Sequence, residues 1–281
     1  INMDDLKLPN YSLVDYKKYN LLYINMSRGC IGNCSFCYSA KMWGKDGNPC
    51  IRTFSTHKAI QMLKELIEKY QIKVFSFVDD NFVPAKSRAI EICNFLSNYD
   101  VHFFCYGRAD YVNDEILQAL KKAGCHTINV GIESGNQRIL NFINKRLTVQ
   151  QNIDAIKCCK RNGINLAASF MLGITTETPE ELNDTINLIK TYKPDLIEAS
   201  MFTPMPGTLI FDYCIEKGFF KKPQTLEEWA IWTGDMIHPI HNTSNISSEV
   251  LTKTIRKLWM IGFYKNKLKR FLYWMKAGEY R

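Results

Sequence analysis

Arg28-Gly29-Cys30-Ile31-Gly32-Asn33-Cys34-Ser35-Phe36-Cys37-Tyr38 carries three cysteines in the spacing C-x3-C-x2-C. The run follows a short apolar stretch, residues 21–26, that reads as a strand, so the cysteines fall in a loop at a strand end. Three thiolates this close can wrap one metal centre, and Gly29 and Gly32 let the backbone bend around it. Soft sulfur ligands suit iron–sulfur clusters. A closed structural zinc site, the competing reading, wants a fourth Cys or His, and the loop offers none. A 4Fe-4S cluster held by three cysteines keeps one iron open to another ligand. Cys30, Cys34 and Cys37 are therefore expected to be the metal ligands and the catalytic centre.

Outward from this loop, short apolar runs alternate with helical patterns. Strands are expected at 74–78, 101–106, 127–132, 166–172 and 196–202 as well as 21–26. Ser55 or Thr56 caps a helix carrying Ile60, Leu63 and Ile67 at helical spacing. Pro84 is expected to open the next helix, through about Leu96. Asn113 caps one that stops at Gly124, and Gly163 stops the helix over 149–162. Pro179 begins another, and Thr208 caps the last of the series. Six β-α units in series imply a parallel sheet with helices outside, an α/β fold of the partial (β/α)6 TIM-barrel type. Reactive groups collect at the C-terminal ends of such strands.

The chain has 281 residues, 46% of them hydrophobic, and a formal net charge of +8. That fits one large domain or one with an extension. No run of about 18 apolar residues suggests a membrane span, and no secretory signal pattern is present. A chain this long with its key cysteines clustered fits a reducing cytoplasm better than a disulfide scaffold. Cys50, Cys93, Cys105, Cys125, Cys158, Cys159 and Cys214 show no second metal spacing and are expected as free thiols, most of them buried.

Beyond the loop come Val78-Asp79-Asp80-Asn81-Phe82, Tyr106-Gly107-Arg108-Ala109-Asp110, Gly131-Ile132-Glu133-Ser134-Gly135, Asn144-Lys145, Phe170-Met171-Leu172-Gly173 and Thr203-Pro204-Met205-Pro206-Gly207-Thr208. With the cysteine loop, this series over roughly residues 20–215 resembles the radical S-adenosylmethionine (radical SAM) superfamily. The resemblance is to the branch that usually carries an N-terminal cobalamin-binding domain. One departure is visible: the family's Pro-Gly-Glu-Thr turn here reads Ile174-Thr175-Thr176-Glu177-Thr178. The resemblance implies S-adenosylmethionine on the open iron, with Phe36 against the adenine and Asp79 or Asp80 accepting from the ammonium. It also implies Glu133 at the ribose or amino group, Lys145 toward the carboxylate, and Gly173 packed near the adenine. Arg108 is expected to steady Glu133 or face the substrate, and Tyr38 to reach toward cobalamin or substrate.

Residues 1–19, opening on Ile1 rather than Met, read as a linker after a preceding cobalamin domain; 20–210 as the radical SAM core; 211–281 as a helical C-terminal extension. The implied activity is cleavage of S-adenosylmethionine to a 5′-deoxyadenosyl radical, with cobalamin-dependent methyl transfer to an unactivated carbon. The alternatives are a cobalamin-dependent cyclase, oxidase or rearrangement enzyme, and, from another class, an iron–sulfur or cobalamin carrier without turnover. The partners expected are a small-molecule or lipid substrate and an electron donor such as flavodoxin or ferredoxin. Between Lys253 and Lys276 stand eight Lys or Arg, no Asp or Glu, and six large aromatics. This stretch fits a terminal helix packing its aromatics on the barrel, or peripheral contact with an anionic membrane; no specific nucleic-acid partner is expected. His238 and His241 read as ordinary loop histidines.

Overall fold

The computed structural model describes residues 2–13, 15–18, 21–45, 48–230, 232 and 241–261. Among the described residues are eight strands: β1 Leu22–Ile24, β2 Ser27–Gly29, β3 Ile51–Thr53, β4 Val74–Phe77, β5 His102–Gly107, β6 Cys125–Glu133, β7 Asn165–Leu172 and β8 Leu196–Met201. Six form one sheet in the order β1-β4-β5-β6-β7-β8, every neighbouring pair parallel. This is the partial barrel expected from the alternating pattern, with Asp79, Arg108, Glu133 and Gly173 at the C-terminal ends of β4, β5, β6 and β7.

Strand parity decides which way each side chain faces. Phe75, Phe77, Phe103, Cys105, Ile128, Val130, Leu166, Ala168 and Phe170 alternate onto one face and are buried there. The helices α2 Thr56–Lys64, α3 Lys86–Leu96, α4 Asp114–Lys122, α6 Val149–Asn162 and α7 Pro179–Tyr192 supply Leu63, Ile92, Leu117, Ile156 and Leu188 to the same core. Each such side chain contributes roughly 1.5–3 kcal/mol by leaving water. The opposite face carries Tyr23, Phe104, Tyr106, Asn129, Ser169 and Glu198, all half-buried or exposed.

Helix boundaries follow local chemistry. Ser55, Asn113, Thr148, Thr178 and Thr208 each cap a helix through the side chain, and Thr148 and Thr178 complete capping boxes with Gln151 and Glu181. Pro179 is at the start of α7, where its missing N–H costs nothing. Gly163 closes α6 at φ 64°. Pro84 differs from expectation: α3 begins only at Lys86, and no side chain caps it.

Several elements were not legible. The antiparallel pair β2–β3 and the short helix α1 Ser39–Trp43 have too few residues to show a period. A π-helical turn, Glu65–Lys69, extends α2. Trp229 lies in α9 Leu226–Ala230. Trp232 is buried, packs on Phe211 and Phe220, and donates from Nε1 to the Pro204 carbonyl at 2.9 Å. It thereby ties the segment after α8 Leu209–Glu216 to the proline turn that follows β8. His241 stacks in the same aromatic group, 4.4 Å from Trp232; His238 lies outside the described residues.

Residues 241–247 lace onto the turn after β7: Thr176 and Asn245 exchange backbone bonds with Thr243 and Glu177. Residues 248–261 are helical, and Trp259 Nε1 donates to the Ala199 carbonyl of β8 at 2.8 Å. Within the described residues, then, the basic stretch packs an aromatic on the barrel; Phe263, Tyr264, Phe271, Tyr273 and Trp274 lie outside them. At the other end, Tyr16 donates to the Tyr70 carbonyl at 2.7 Å, and Asp4 accepts from the Ser55 amide at 2.8 Å. No described helix is long and apolar enough to cross a membrane.

Candidate active site

The cysteine loop leaves β2 at Gly29, whose φ of 91° belongs to the left-handed region. A Cβ there would collide with the Cys50 carbonyl, so glycine is required on two counts. The loop is then pinned from two sides. Ser35 donates its amide to Ile143 O at 2.9 Å and accepts from the Ile210 amide at 3.0 Å. Asn144 Nδ2 donates to the Asn33 carbonyl at 2.6 Å.

Each cysteine sulfur meets an N–H: Gly32 N to Cys30 at 3.3 Å, Ser39 N to Cys37 at 3.5 Å, and Arg108 Nη1 to Cys34 at 3.7 Å. Such donors are what ligating thiolates receive from their surroundings. Burial pushes the Cys34 and Cys37 thiols up in the bare protein; Lys145 and Arg108 oppose this at Cys34. A coordinating metal deprotonates a thiol outright. Among the described residues no three His, Cys, Asp or Glu side chains converge as a single ion requires. A 4Fe-4S cluster takes each thiolate on a different iron, so its three ligands need only share this loop, and the donor set fits.

Glu133 and Lys145 form a buried ion pair at 2.8 Å, their side chains 10% and 6% exposed. The backbone is shaped for it. Glu133 ends β6 at φ 64°, where the pairing with β7 shifts register. Gly131 leaves the space: a Cβ there would collide with the Glu133 carboxylate and lie 3.0 Å from Lys145 Nζ. Asn144 and Arg146, on either side of Lys145, also have positive φ. Left-handed non-glycine residues cost of order 1–3 kcal/mol each and collect at functional sites. The Phe36 ring centroid is 6.0 Å from Lys145 Nζ, and Phe36 packs against the buried cluster that includes Ile139 of α5 Gln137–Phe142, Ile143 and Ile210.

Arg108 does not reach Glu133. It donates to the Lys145 carbonyl at 3.0 Å and pairs with Asp110 at 3.2 Å. Gly32 bends no backbone into the left-handed region; it admits Arg108, because a Cβ there would meet Nη1 at 2.8 Å.

The two aspartates separate. Asp79 is buried beneath the loop, accepting from the Met26 amide at 3.0 Å and from Ser27 Oγ. Burial pushes its carboxyl up to about 6. Arg88, also buried, holds the Phe54 and Met26 carbonyls nearby. Asp79 is thus committed to the turn between β1 and β2. Asp80 is exposed and accepts from Ser39 Oγ, two residues past Cys37, at 2.8 Å.

Gly173, at φ 75°, donates its amide to Glu177 at 2.6 Å. A Cβ on it would meet Leu251 at 2.6 Å, so the helical stretch 248–261 fills the space beside it. Tyr38 and Met42 are 51% and 59% exposed and stand at the open edge of the cluster loop.

The structure therefore joins Cys30, Cys34, Cys37, Phe36, Arg108, Glu133 and Lys145 into one contiguous group, with Asp80 adjoining it. Asp79 and Gly173 face protein instead. Sequence reading missed a polar network on the half-open face of the sheet. Asn129 Nδ2 donates to Glu198 at 2.6 Å, and the single Ser169 Oγ–H has two acceptors within reach, Asn129 Oδ1 at 3.0 Å and Glu198 Oε2 at 3.1 Å. The signal was available: polar residues at the same parity as Tyr106 on three successive strands.

Residues 24–189 match the family model of the radical SAM superfamily. The chain is 34% identical over 270 residues to an uncharacterized methyltransferase of Pyrococcus horikoshii, covering 94% of this chain and 56% of that protein. It is 30% identical to the anaerobic magnesium-protoporphyrin IX monomethyl ester cyclase of Rubrivivax gelatinosus, covering 72% of this chain and 38% of the cyclase. The chain thus spans about half the length, or less, of these two relatives. In fold it is similar to the radical S-adenosylmethionine methyltransferase TsrM from Kitasatospora setae, with cobalamin and a 4Fe-4S cluster bound. The TM-score is 0.63 at 16% identity, covering 74% of this chain and 39% of TsrM.

Proposed function

The chain belongs to the radical SAM superfamily, and from that premise we propose that it cleaves S-adenosylmethionine reductively in a cobalamin-dependent methyl transfer to an unactivated carbon. The observation that carries this reading is the contiguity of the three-cysteine loop with the buried Glu133–Lys145 pair, 2.8 Å apart. S-adenosylmethionine ends in a zwitterion, and a paired carboxylate and ammonium complement its ammonium and carboxylate.

Cys30, Cys34 and Cys37 would hold the cluster, which would supply the one electron needed to cleave S-adenosylmethionine into methionine and a 5′-deoxyadenosyl radical. The chain's own residues do the rest. Lys145 faces the cofactor carboxylate, and Glu133 accepts from the ammonium or a ribose hydroxyl. Asp80, not Asp79, is the carboxylate of that strand end still open to the ammonium. Phe36 offers its ring to the adenine. Gly173 acts indirectly, by letting the 248–261 stretch close down on the strand end. Because the chain's own contacts hold the ion pair and the left-handed turns, little reorganisation accompanies reaction. Tyr38, Met42 and the Asn129–Ser169–Glu198 network line the approach of a small-molecule or lipid substrate. A flavodoxin or ferredoxin in a cytoplasmic setting is the proposed electron source, and the basic stretch 253–276 the proposed membrane contact.

The methyltransferase relative supports methyl transfer, and the motif resemblance and the cobalamin bound in TsrM support cobalamin. The cyclase relative favours a second reading, in which the same radical closes a ring. The full-length protein, reconstituted anaerobically with iron, sulfide and hydroxocobalamin, separates them. Methyl transfer predicts S-adenosylhomocysteine that appears only when cobalamin is present, alongside 5′-deoxyadenosine. Formation of 5′-deoxyadenosine with no S-adenosylhomocysteine under any cobalamin loading would reject methyl transfer and leave the cyclase reading.

A further inference from the structure

Arg108 stands where β5 ends, and its guanidinium turns back onto the cysteine loop. Nη1 lies 3.7 Å from Cys34 Sγ, Nη2 donates to the Lys145 carbonyl at 3.0 Å, and Nε donates to Asp110 Oδ1 at 3.2 Å. Its side chain is 10% exposed, that of Asp110 28%. The planar fork is thus fixed from three directions and cannot swing away as a lysine could. Gly32 completes the fit, since any side chain there would displace Nη1.

Reduction of an iron–sulfur cluster places added negative charge on the irons and their sulfurs. A fixed cation and an N–H aimed at a ligating sulfur stabilise the reduced form more than the oxidised one, which raises the potential. The other nearby cation, Lys145, is neutralised by Glu133 at 2.8 Å. Asp110 pairs with the Nε and Nη2 edge of Arg108, at 3.2 and 3.4 Å, and leaves Nη1 to Cys34. The residual positive field therefore points toward Cys34.

We propose that Arg108 is a positioning residue that raises the reduction potential of the cluster held by Cys34, through its N–H···S contact and its charge, with Asp110 setting how much of that charge the sulfur feels. This rests on the reading of Cys30, Cys34 and Cys37 as cluster ligands. A cluster of this kind must accept an electron before S-adenosylmethionine can be cleaved, so Arg108 governs how readily the electron enters.

The test is a potentiometric titration of the anaerobically reconstituted full-length protein, followed by electron paramagnetic resonance, without S-adenosylmethionine. Iron and sulfide content is measured first. Arg108→Gln is expected to keep its cluster while the ratio of reduced to oxidised cluster at a fixed potential falls about tenfold, or about 59 mV for a one-electron couple. Arg108→Lys keeps the charge but not the fork and should fall less. Asp110→Asn removes the opposing charge and should raise the ratio about threefold. The opposite signs distinguish a field from structural damage. A fully loaded Arg108→Gln with a ratio unchanged within threefold overturns the proposal, as does an Asp110→Asn that falls. If Arg108→Gln holds no cluster, Asp110→Asn decides alone: a rise supports the proposal and no change overturns it. A wild-type protein that assembles no cluster would instead overturn the ligand assignment beneath it.

Discussion

At the C-terminal end of the sheet, Asp79, Arg88, Arg108, Glu133, Lys145 and Glu177 are all buried. At the N-terminal end, Lys73 and Asp100 pair across strand starts at 3.9 Å with their side chains 66% and 85% exposed. The two ends belong to the same strands and the same core, yet treat charge in opposite ways. An exposed pair exchanges solvation for a weak, screened attraction and is worth about 0–1 kcal/mol. A buried pair loses several kcal/mol of solvation per ion and recovers it only with good geometry and further hydrogen bonds. All six buried charges make a hydrogen bond or ion pair with backbone or side chains, Arg88 with two carbonyls. Glu177 still leaves one carboxylate oxygen, Oε1, without a partner. The fold thus concentrates costly electrostatics at one end, where the motif residues stand, and keeps the other end inexpensive and solvated.

Four substitutions or conditions probe that contrast. The largest effect is expected at the cysteines. Cys34→Ala removes one of three ligands, so iron content and turnover should fall to background. Cys159→Ala, in the buried core away from the loop, should keep both. Loss of the cluster in Cys159→Ala with retention in Cys34→Ala would reverse the ligand assignment.

Next comes the ion pair. Lys145→Met strands the Glu133 carboxylate in a buried site, which should cost about 3–5 kcal/mol in denaturant unfolding. A loss under about 1 kcal/mol would mean that the pair is solvated in the working protein.

The pH dependence is third. Burial pushes Asp79 up to about 6 and Glu177 up to about 7, from 3.8 and 4.5. Both groups hold protons more tightly when folded, so the stability they contribute is full below about pH 4 and is lost as pH rises through 6 and 7. For Glu177 the whole change is roughly 3 kcal/mol. Unfolding free energies at pH 4.5 and pH 8 should differ less in Glu177→Gln than in the wild type; an unchanged difference would remove Glu177 from the account.

The smallest effect belongs to the other end: Lys73→Ala should shift stability by less than about 0.5 kcal/mol. A loss comparable to that of Lys145→Met would dissolve the distinction between the ends.

Much of this end was legible. The Gly-Ile-Glu and Asn-Lys motifs singled out Glu133, at the end of β6, and Lys145, in the loop before α6. Partners were not legible, because they are set by loops that meet only in three dimensions. Asp79 and Asp80 are adjacent and chemically identical, and only the turn of Met26 and Ser27 over β4 makes one internal and leaves the other open. The packing of Leu251 beside Gly173 was not legible, because nothing in the sequence sets those two residues together. Asn129, Ser169 and Glu198 were passed over because single polar residues within strands resemble ordinary alternation until their neighbours are known.

The central claim is that the C-terminal strand ends form a site for reductive cleavage of S-adenosylmethionine. Its most direct test is chromatographic detection of 5′-deoxyadenosine after anaerobic incubation of the cluster-loaded protein with dithionite and S-adenosylmethionine. The account predicts 5′-deoxyadenosine from the wild type and none above background from Cys34→Ala. A wild-type protein with a full, reduced cluster and bound S-adenosylmethionine that yields no 5′-deoxyadenosine would contradict it.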